Sequence, residues 1–376
     1  MAHDVSLDAG SALDEKGNGA SVPNLRTARL DLDSVYGSGP DDQRFLYQRL
    51  DPRQFLLGAN EKGQPDLPRN AEGHALIADT RNDQNILIAQ MHLAFLRFHN
   101  QRLAQTRSFD EARRLTRWHY QWVVIDDFLT RLCGRDLVTS LLGQWGRPNL
   151  RFFRPGENAS VPIEFALAGF RIGHSMVRPK YGLNDALDVK LEAPIRIFNG
   201  DMIAASLAGE RSIPDGWFIQ WDRFVEHDGS RPQLSKRFDT NIAWPLHLLP
   251  LPGFLVPKRA YRSLSFLTLL RGWRMSLPSG QAVARRMGES VLAGENDRED
   301  PLWWYLLREA EALGDGGERL GPVGARLVGE VLVGLLASDP TSYYRVQPDW
   351  EPTLDAEGVR FQLRDFLRHA GVRMKA

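Results

Sequence analysis

The sequence predicts a mainly α-helical fold with few short strands, and three observations carry the prediction. Apolar residues recur at spacings of three to five over long stretches, strand-like alternation is confined to short pieces, and neither an internal repeat nor a dividing linker interrupts the chain. From Asn85 onward, Leu87, Met91, Ala94, Phe98 and Leu103 mark a first long helix. A second runs from about Asp110 through WHYQWVVIDDFLTRL. Pro162 is placed to open a third as its first residue. Ile163, Leu167, Phe170, His174 and Val177 then keep a +4, +3, +4, +3 rhythm until Pro179 stops it. Leu264–Met275, Gln281–Leu292, Pro301–Leu313 and Val323–Leu336 are helical on the same grounds. Residues 1–40 read as polar loop, and Tyr47–Asn70 continues without periodicity. The expectation is one large domain over 1–376, with core helices in 85–180 and further helical packing in 290–376.

Composition narrows the function classes. The 376 residues are 43% hydrophobic and 25% charged, as in an ordinary globular protein. Positive and negative charges balance at 47 each, which argues against a general electrostatic grip on nucleic acid or an anionic membrane. Only seven of the cations are lysines, a bias that genome composition explains better than function. Cys133 is the only cysteine, so a disulfide-stapled fold is excluded and a reducing compartment is expected. MAHDVSLDAG lacks the apolar core of a signal peptide, which makes a cytoplasmic location the default expectation. The most apolar stretch, Ile242–Pro257, holds four prolines and His247, and suits an irregular buried segment rather than a membrane span.

The helix EFALAGFRIGHSMVRP carries the sharpest clue, because His174 lies on its apolar stripe with Arg171 three residues earlier. On spacing alone such a histidine is more often a hydrogen-bonded core residue than a ligand. The wording of the segment, however, resembles the proximal-ligand motif of the animal-type haem peroxidase superfamily, which includes myeloperoxidase and cyclooxygenase. That motif is an A-F-R-x-G-H-[ST] run, and Ala168 and Gly169 precede Phe170 in this near match. The resemblance implies that His174 is the iron ligand and that Arg171 partners a haem propionate.

A peroxidase also needs a base to move the peroxide proton and a cation for the charge that develops as the O–O bond breaks. Met1-Ala2-His3-Asp4 resembles the second half of the family's distal-histidine motif, and Ala78-Asp79-Thr80-Arg81 its arginine segment. His3 is thereby implied as the distal base and Arg81 as the distal cation. Ala2 and Gln84 stand where mammalian relatives carry the carboxylates that esterify haem, so haem b is expected to be bound non-covalently. The chain begins inside the distal motif, so a fragment or a mis-started reading frame is expected, with a slow reaction with peroxide.

Between these segments lies Thr27-Ala28-Arg29-Leu30-Asp31-Leu32-Asp33-Ser34-Val35-Tyr36-Gly37. Alternation in an extended loop points Thr27, Arg29, Asp31 and Asp33 the same way, and calcium takes six to eight such oxygens. In isolation the stretch is a polar turn. It resembles the family's calcium loop, which implies a calcium ion held by Asp4, Thr27, the Arg29 carbonyl, Asp31 and Asp33.

LLRGWRMSLPSGQAVA resembles the family's region behind the proximal histidine. Relatives place there an asparagine that bonds the imidazole; Thr268 holds its position, and Arg271 is implied as a second propionate partner. Lipid-oxygenating members need a tyrosine two residues before a W-H pair, but Ile219-Gln220-Trp221-Asp222 has none. His92 and His99 lie two helical turns apart, about 10 Å, too far to share one ion. The resemblance implies a haem peroxidase that uses hydrogen peroxide to oxidise a small-molecule electron donor, with no nucleic-acid partner and no membrane span. A degenerate, non-catalytic relative and, more weakly, a lipid dioxygenase stay open.

Overall fold

The computed structural model describes residues 26–156, 160–191, 194–200, 202–249 and 259–374. Among them are twelve α-helices. They are α1 (Asp33–Tyr36), α2 (Ile86–Thr106), α3 (Phe109–Trp122), α4 (Thr130–Cys133), α5 (Arg135–Leu142), α6 (Asp185–Leu191), α7 (Leu264–Arg274), α8 (Gly280–Met287), α9 (Leu302–Leu313), α10 (Pro322–Ser338), α11 (Tyr343–Val346) and α12 (Leu363–His369). The described strands are two residues long and form two antiparallel pairs, Gly58–Ala59 with Pro65–Asp66 and Lys180–Tyr181 with Ile195–Arg196. The mainly helical fold class is therefore as predicted. No helix among the described residues is long and apolar enough to cross a membrane.

The helices end where local chemistry stops them. Asn85 caps α2 by accepting the Leu87 N–H, and Ser108 caps α3 by accepting that of Glu111. Predicted helix 281–292 closes early, because Gly288 takes a left-handed conformation at φ +73° and terminates α8. The long second helix does not run uniformly: after Trp122 it widens into a π turn over Val123–Leu129 before α4.

The chain divides into two compact units, each assembled from segments far apart in sequence. One comprises 32–123, 179–234 and 351–376. Its centre is the antiparallel pair α2 and α3, with α12 laid across α2 so that Phe366 stacks on Phe98 at 4.0 Å. Buried His99 bonds Tyr36 through Nδ1 and the Arg53 carbonyl through Nε2, both at 2.9 Å, while His92 Nδ1 bonds the Asn82 amide at 3.0 Å. Both histidines are thus built into the packing.

The other unit comprises 1–31, 124–178 and 235–350. Its axis is α10, buried along most of its length and packed by α4, α5, α8, α9 and α11. A helix apolar on all sides has to be enclosed in this way. Helices α8 and α9 touch backbone to ring: a Cβ at Gly280 would lie 2.0 Å from Cγ of Tyr305, so only glycine fits.

The first turn of α10 is capped from a neighbouring helix. Fully buried Glu309 on α9 accepts the N–H groups of Val323 and Gly324, each at 3.0 Å. Burial pushes its carboxyl up to about 7 against the pull of those two donors. The folded protein then holds a proton that the unfolded chain releases above 4.5, so stability should fall as pH rises from about 4.5 to about 7. Urea unfolding across that range should show the slope. Glu309→Gln should flatten it, at a loss of about 1–3 kcal/mol for the N–H left without an acceptor. A slope that survives the substitution would rule Glu309 out as its source.

Candidate active site

The segment that carries His174 starts as α-helix at Ile163, widens to a π turn over Phe165–Gly169 and tightens to a 3-10 helix over Arg171–Met176. The Phe170 N–H donates to the Phe165 carbonyl, five residues back, at 2.7 Å. Each change of pitch turns the later side chains about the axis relative to a uniform helix. The predicted stripe is therefore broken, and the third helix is not the regular α-helix that the rhythm implied. Phe165, Leu167, Ala168, Gly169, Ile172 and Ser175 are buried, while His174 stands on an adjoining, half-buried row. Residues three apart eclipse in a 3-10 helix, which stacks Arg171 against His174. Gly169 lets the π turn approach α10, since a Cβ there would come within 2.9 Å of Leu327 Cδ2.

The electrostatics of this row are unusual. Burial and the Arg171 charge hold the His174 imidazole down at about 3, so it is neutral at ordinary pH. Burial and the Arg271 charge in turn lower the Arg171 guanidinium to about 10. The only hydrogen bond of Arg171 among the described residues runs from Nε to the Ala166 carbonyl, at 3.1 Å. Two guanidiniums and an imidazole are thus gathered so that the cations repel one another. Of the two ring nitrogens of His174, Nδ1 is sealed off with no hydrogen-bond partner, which leaves Nε2 as the one open to a ligand.

Thr268, on α7, is buried, and α7 packs against the π turn. Its hydroxyl has no hydrogen-bond partner, and neither has His174 Nδ1, so the two are not joined. Threonine carries its oxygen one atom nearer the backbone than the carboxamide of asparagine, and its reach is correspondingly shorter.

In the other unit, Arg81 lies on a 3-10 turn, Thr80–Asp83, that leads into α2. Its side chain is 14% exposed, which removes it from the class of surface arginines. Asp79 grips it as a fork: Oδ1 accepts from Nε at 2.9 Å and Oδ2 from Nη2 at 2.5 Å, and Oδ1 also caps the turn by accepting the Arg81 N–H. The turn is pinned again by Asp83, which binds Arg69 through two bonds of 2.7 and 2.8 Å. Sequence reasoning gave Asp79 no role; a carboxylate two residues before an arginine at a helix entrance was the available signal.

Along Thr27–Asp33 the expected alternation holds: Ala28, Leu30 and Leu32 are buried, whereas Thr27, Arg29, Asp31 and Asp33 are more open. The Thr27 hydroxyl lies 2.9 Å from each carboxylate oxygen of Asp31. Leu32 adopts φ +60°, and Asp33 opens α1. Among the described residues no group of three or more His, Cys, Asp or Glu side chains is gathered for a metal ion. His3 and Asp4 lie outside the described residues.

Comparison with known proteins defines the class. A family model described as animal haem peroxidase matches residues 9–207, and the chain belongs to that family. Mouse thyroid peroxidase is 26% identical over 237 residues, or 56% of this chain and 24% of its own length. The chain spans about a quarter or less of the curated relatives it matches. Among solved structures, peroxidase A from Dictyostelium discoideum shares the fold at a TM-score of 0.55 and 16% identity, covering 94% of this chain and 68% of that one. A fatty acid alpha-dioxygenase from Arabidopsis thaliana shares it at a TM-score of 0.58 and 13% identity, covering 93% of this chain and 61% of that one.

The depressed imidazole gives a direct test. A histidine that is neutral when folded and protonates at 6.5 when unfolded stabilises the fold less as pH drops from 6.5 toward about 3. In haem-free protein labelled with ¹⁵N-histidine, His174 should stay neutral well below pH 6.5 while exposed histidines titrate. A titration at the ordinary histidine value would mean that the site is open to water.

Proposed function

We propose that this protein is a haem-dependent peroxidase that uses hydrogen peroxide to oxidise a small-molecule electron donor. One observation carries the reading: a neutral histidine sealed on its Nδ1 side, with two mutually repelling guanidiniums beside it. Haem fits this set. Its iron takes a neutral imidazole, and its two propionates are the anions that would relieve the repulsion between Arg171 and Arg271. Haem b would be held non-covalently by His174, Arg171 and Arg271, with Thr268 behind the imidazole. When bound, it supplies the redox chemistry by which peroxide accepts two electrons.

The remaining steps belong to the side chains. Arg81 offers a guanidinium to the charge that builds on the separating oxygens, and the Asp79 fork fixes the direction of that guanidinium. His3 would take the proton from one peroxide oxygen and return it to the other. Calcium, taken up by Asp4, Thr27, the Arg29 carbonyl, Asp31 and Asp33, would tie the His3 segment to the fold. The similarity to alpha-dioxygenase structures favours a second reading, fatty-acid oxygenation. Ile219, where lipid-oxygenating members need a tyrosine, weighs against it.

Hemin added to the purified chain should give a Soret band that His174→Ala abolishes, and Arg171→Ala should weaken hemin binding roughly tenfold, as expected for loss of one charge-assisted bond. Arg81→Gln should leave the band in place and slow the stopped-flow reaction with peroxide by roughly 10² to 10³. An unchanged spectrum in His174→Ala would sink the assignment of the ligand, and oxygen uptake with a fatty acid in place of peroxide turnover would favour the second reading.

The calcium assignment is tested by stability. An ion bound only to the folded state stabilises it by mass action. EDTA should therefore lower the melting temperature of the wild-type chain and leave Asp31→Ala unmoved. Equal melting with and without EDTA in the wild type would dismiss the ion.

A further inference from the structure

Arg102, near the C-terminal end of α2, is 3% exposed, a degree of burial that arginine reaches almost only when it is paired. Its Nε is sealed from solvent without a hydrogen-bond partner, and its guanidinium makes no hydrogen bond and no ion pair among the described residues. Burial lowers the guanidinium from its ordinary value, with no carboxylate near enough to hold it up. Its Cζ stands 5.0 Å from the centroid of the Phe98 ring, which itself stacks on Phe366. On α3, His119 donates from Nδ1 to the Leu115 carbonyl at 2.7 Å. Burial and the charges of Arg102, His369 and Arg114 push that imidazole down to about 4, so it is neutral at ordinary pH.

The carboxylates beside those cations are engaged elsewhere. Glu111 is forked onto Arg114, and Asp355 meets Arg368 at 2.7 Å and His369 at 3.2 Å. A cation taken out of water is unfavourable unless an anion meets it, and the face of one aromatic ring replaces only part of its hydration. The cations that act on His119 make the surroundings of Arg102 positive, so the missing partner is an anion. With 3% of the residue open, access is too narrow for an organic acid or a phosphate. One guanidinium balances one charge, and a dianion would bring an uncompensated charge into the same buried place. A halide ion meets these conditions: it is compact, singly charged and weakly hydrated enough to lie beside a phenyl ring.

We propose that Arg102 binds a halide ion, chloride in ordinary solution, through its Nη groups beside Phe98 and His119. The site stands apart from the haem reading and shares none of its proposed ligands.

³⁵Cl NMR of the purified full chain, with no haem added, tests the proposal. Chloride should show excess line broadening that bromide displaces. Arg102→Met keeps the apolar stem and removes the charge, and should lose the broadening. Melting curves give a second arm, with chloride exchanged for gluconate at fixed ionic strength. The wild type should melt higher in chloride, because an ion bound only to the folded state stabilises it by mass action. Arg102→Met should melt at the same temperature in both salts. Broadening retained in Arg102→Met would place the ion elsewhere, and equal melting of the wild type in both salts would mean that packing alone holds the guanidinium. Either result overturns the proposal. Should Arg102→Met fail to fold, wild-type crystals soaked in bromide decide: an anomalous peak in contact with the Arg102 Nη groups sustains the site, and its absence there removes it.

Discussion

The hydrogen bond from the Phe170 N–H to the Phe165 carbonyl is the constraint on which the candidate site depends. It adds one residue to a turn, and everything beyond it is turned accordingly. The 3-10 helix that follows stacks Arg171 on His174 and leaves Ile172 and Ser175 to face the interior. A uniform α-helix over the same residues would put His174 on the buried stripe, with its ring directed into packing. The π turn in turn requires small residues where it meets α10, which Ala168 and Gly169 supply. Packing, helix pitch and the placement of one imidazole are therefore a single structural problem.

Buried charge is handled in two ways at the candidate site residues. Arg69 and Asp83, and Arg81 and Asp79, are closed pairs with forked geometry, in which each cation meets a carboxylate within the same short segment. Such pairs fix a direction more than they add stability. Around His174 the arrangement is open: the charges that act on Arg171 and on the imidazole are cations. Gathering like charges in a partly buried place is unfavourable in the free protein and becomes favourable when an anion is added. Under the proposed haem reading, this contrast makes the His174 row the place for an anionic ligand and the Arg81 turn a preset fixture.

Much of the fold was legible in the sequence because apolar spacing reports which face of a helix is buried. The spacing placed α2, α3, α7, α9 and α10 to within a few residues, and burial alternates along Thr27–Asp33, although the segment bends and ends in α1 instead of running as an extended loop. What spacing cannot report is a change of helical pitch, since it presumes one. The stripe through His174 was consequently drawn on the wrong row, although the histidine was singled out for its neighbours Phe170, Arg171 and Gly173. The Asp79 fork was not legible, because it depends on a carboxylate folding back around a 3-10 turn. Thr268 was legible as a departure from asparagine. That its hydroxyl is left unbonded follows only from the placement of α7.

Glu309 and Glu330 show how far a single polar residue in an apolar setting can be read. Both are fully buried, Glu309 on α9 beside α10 and Glu330 within α10. Glu309 spends both oxygens on the first turn of α10, one N–H to each, and is complete as a cap. Glu330 gathers three N–H groups on one oxygen and sets the other against an arginine. The remaining oxygen, Oε1, faces Arg326 Nη1 at 3.5 Å, so the two carboxylates are completed differently: Glu309 by the backbone of a helix start, Glu330 by the backbone of a loop and a guanidinium on its own helix.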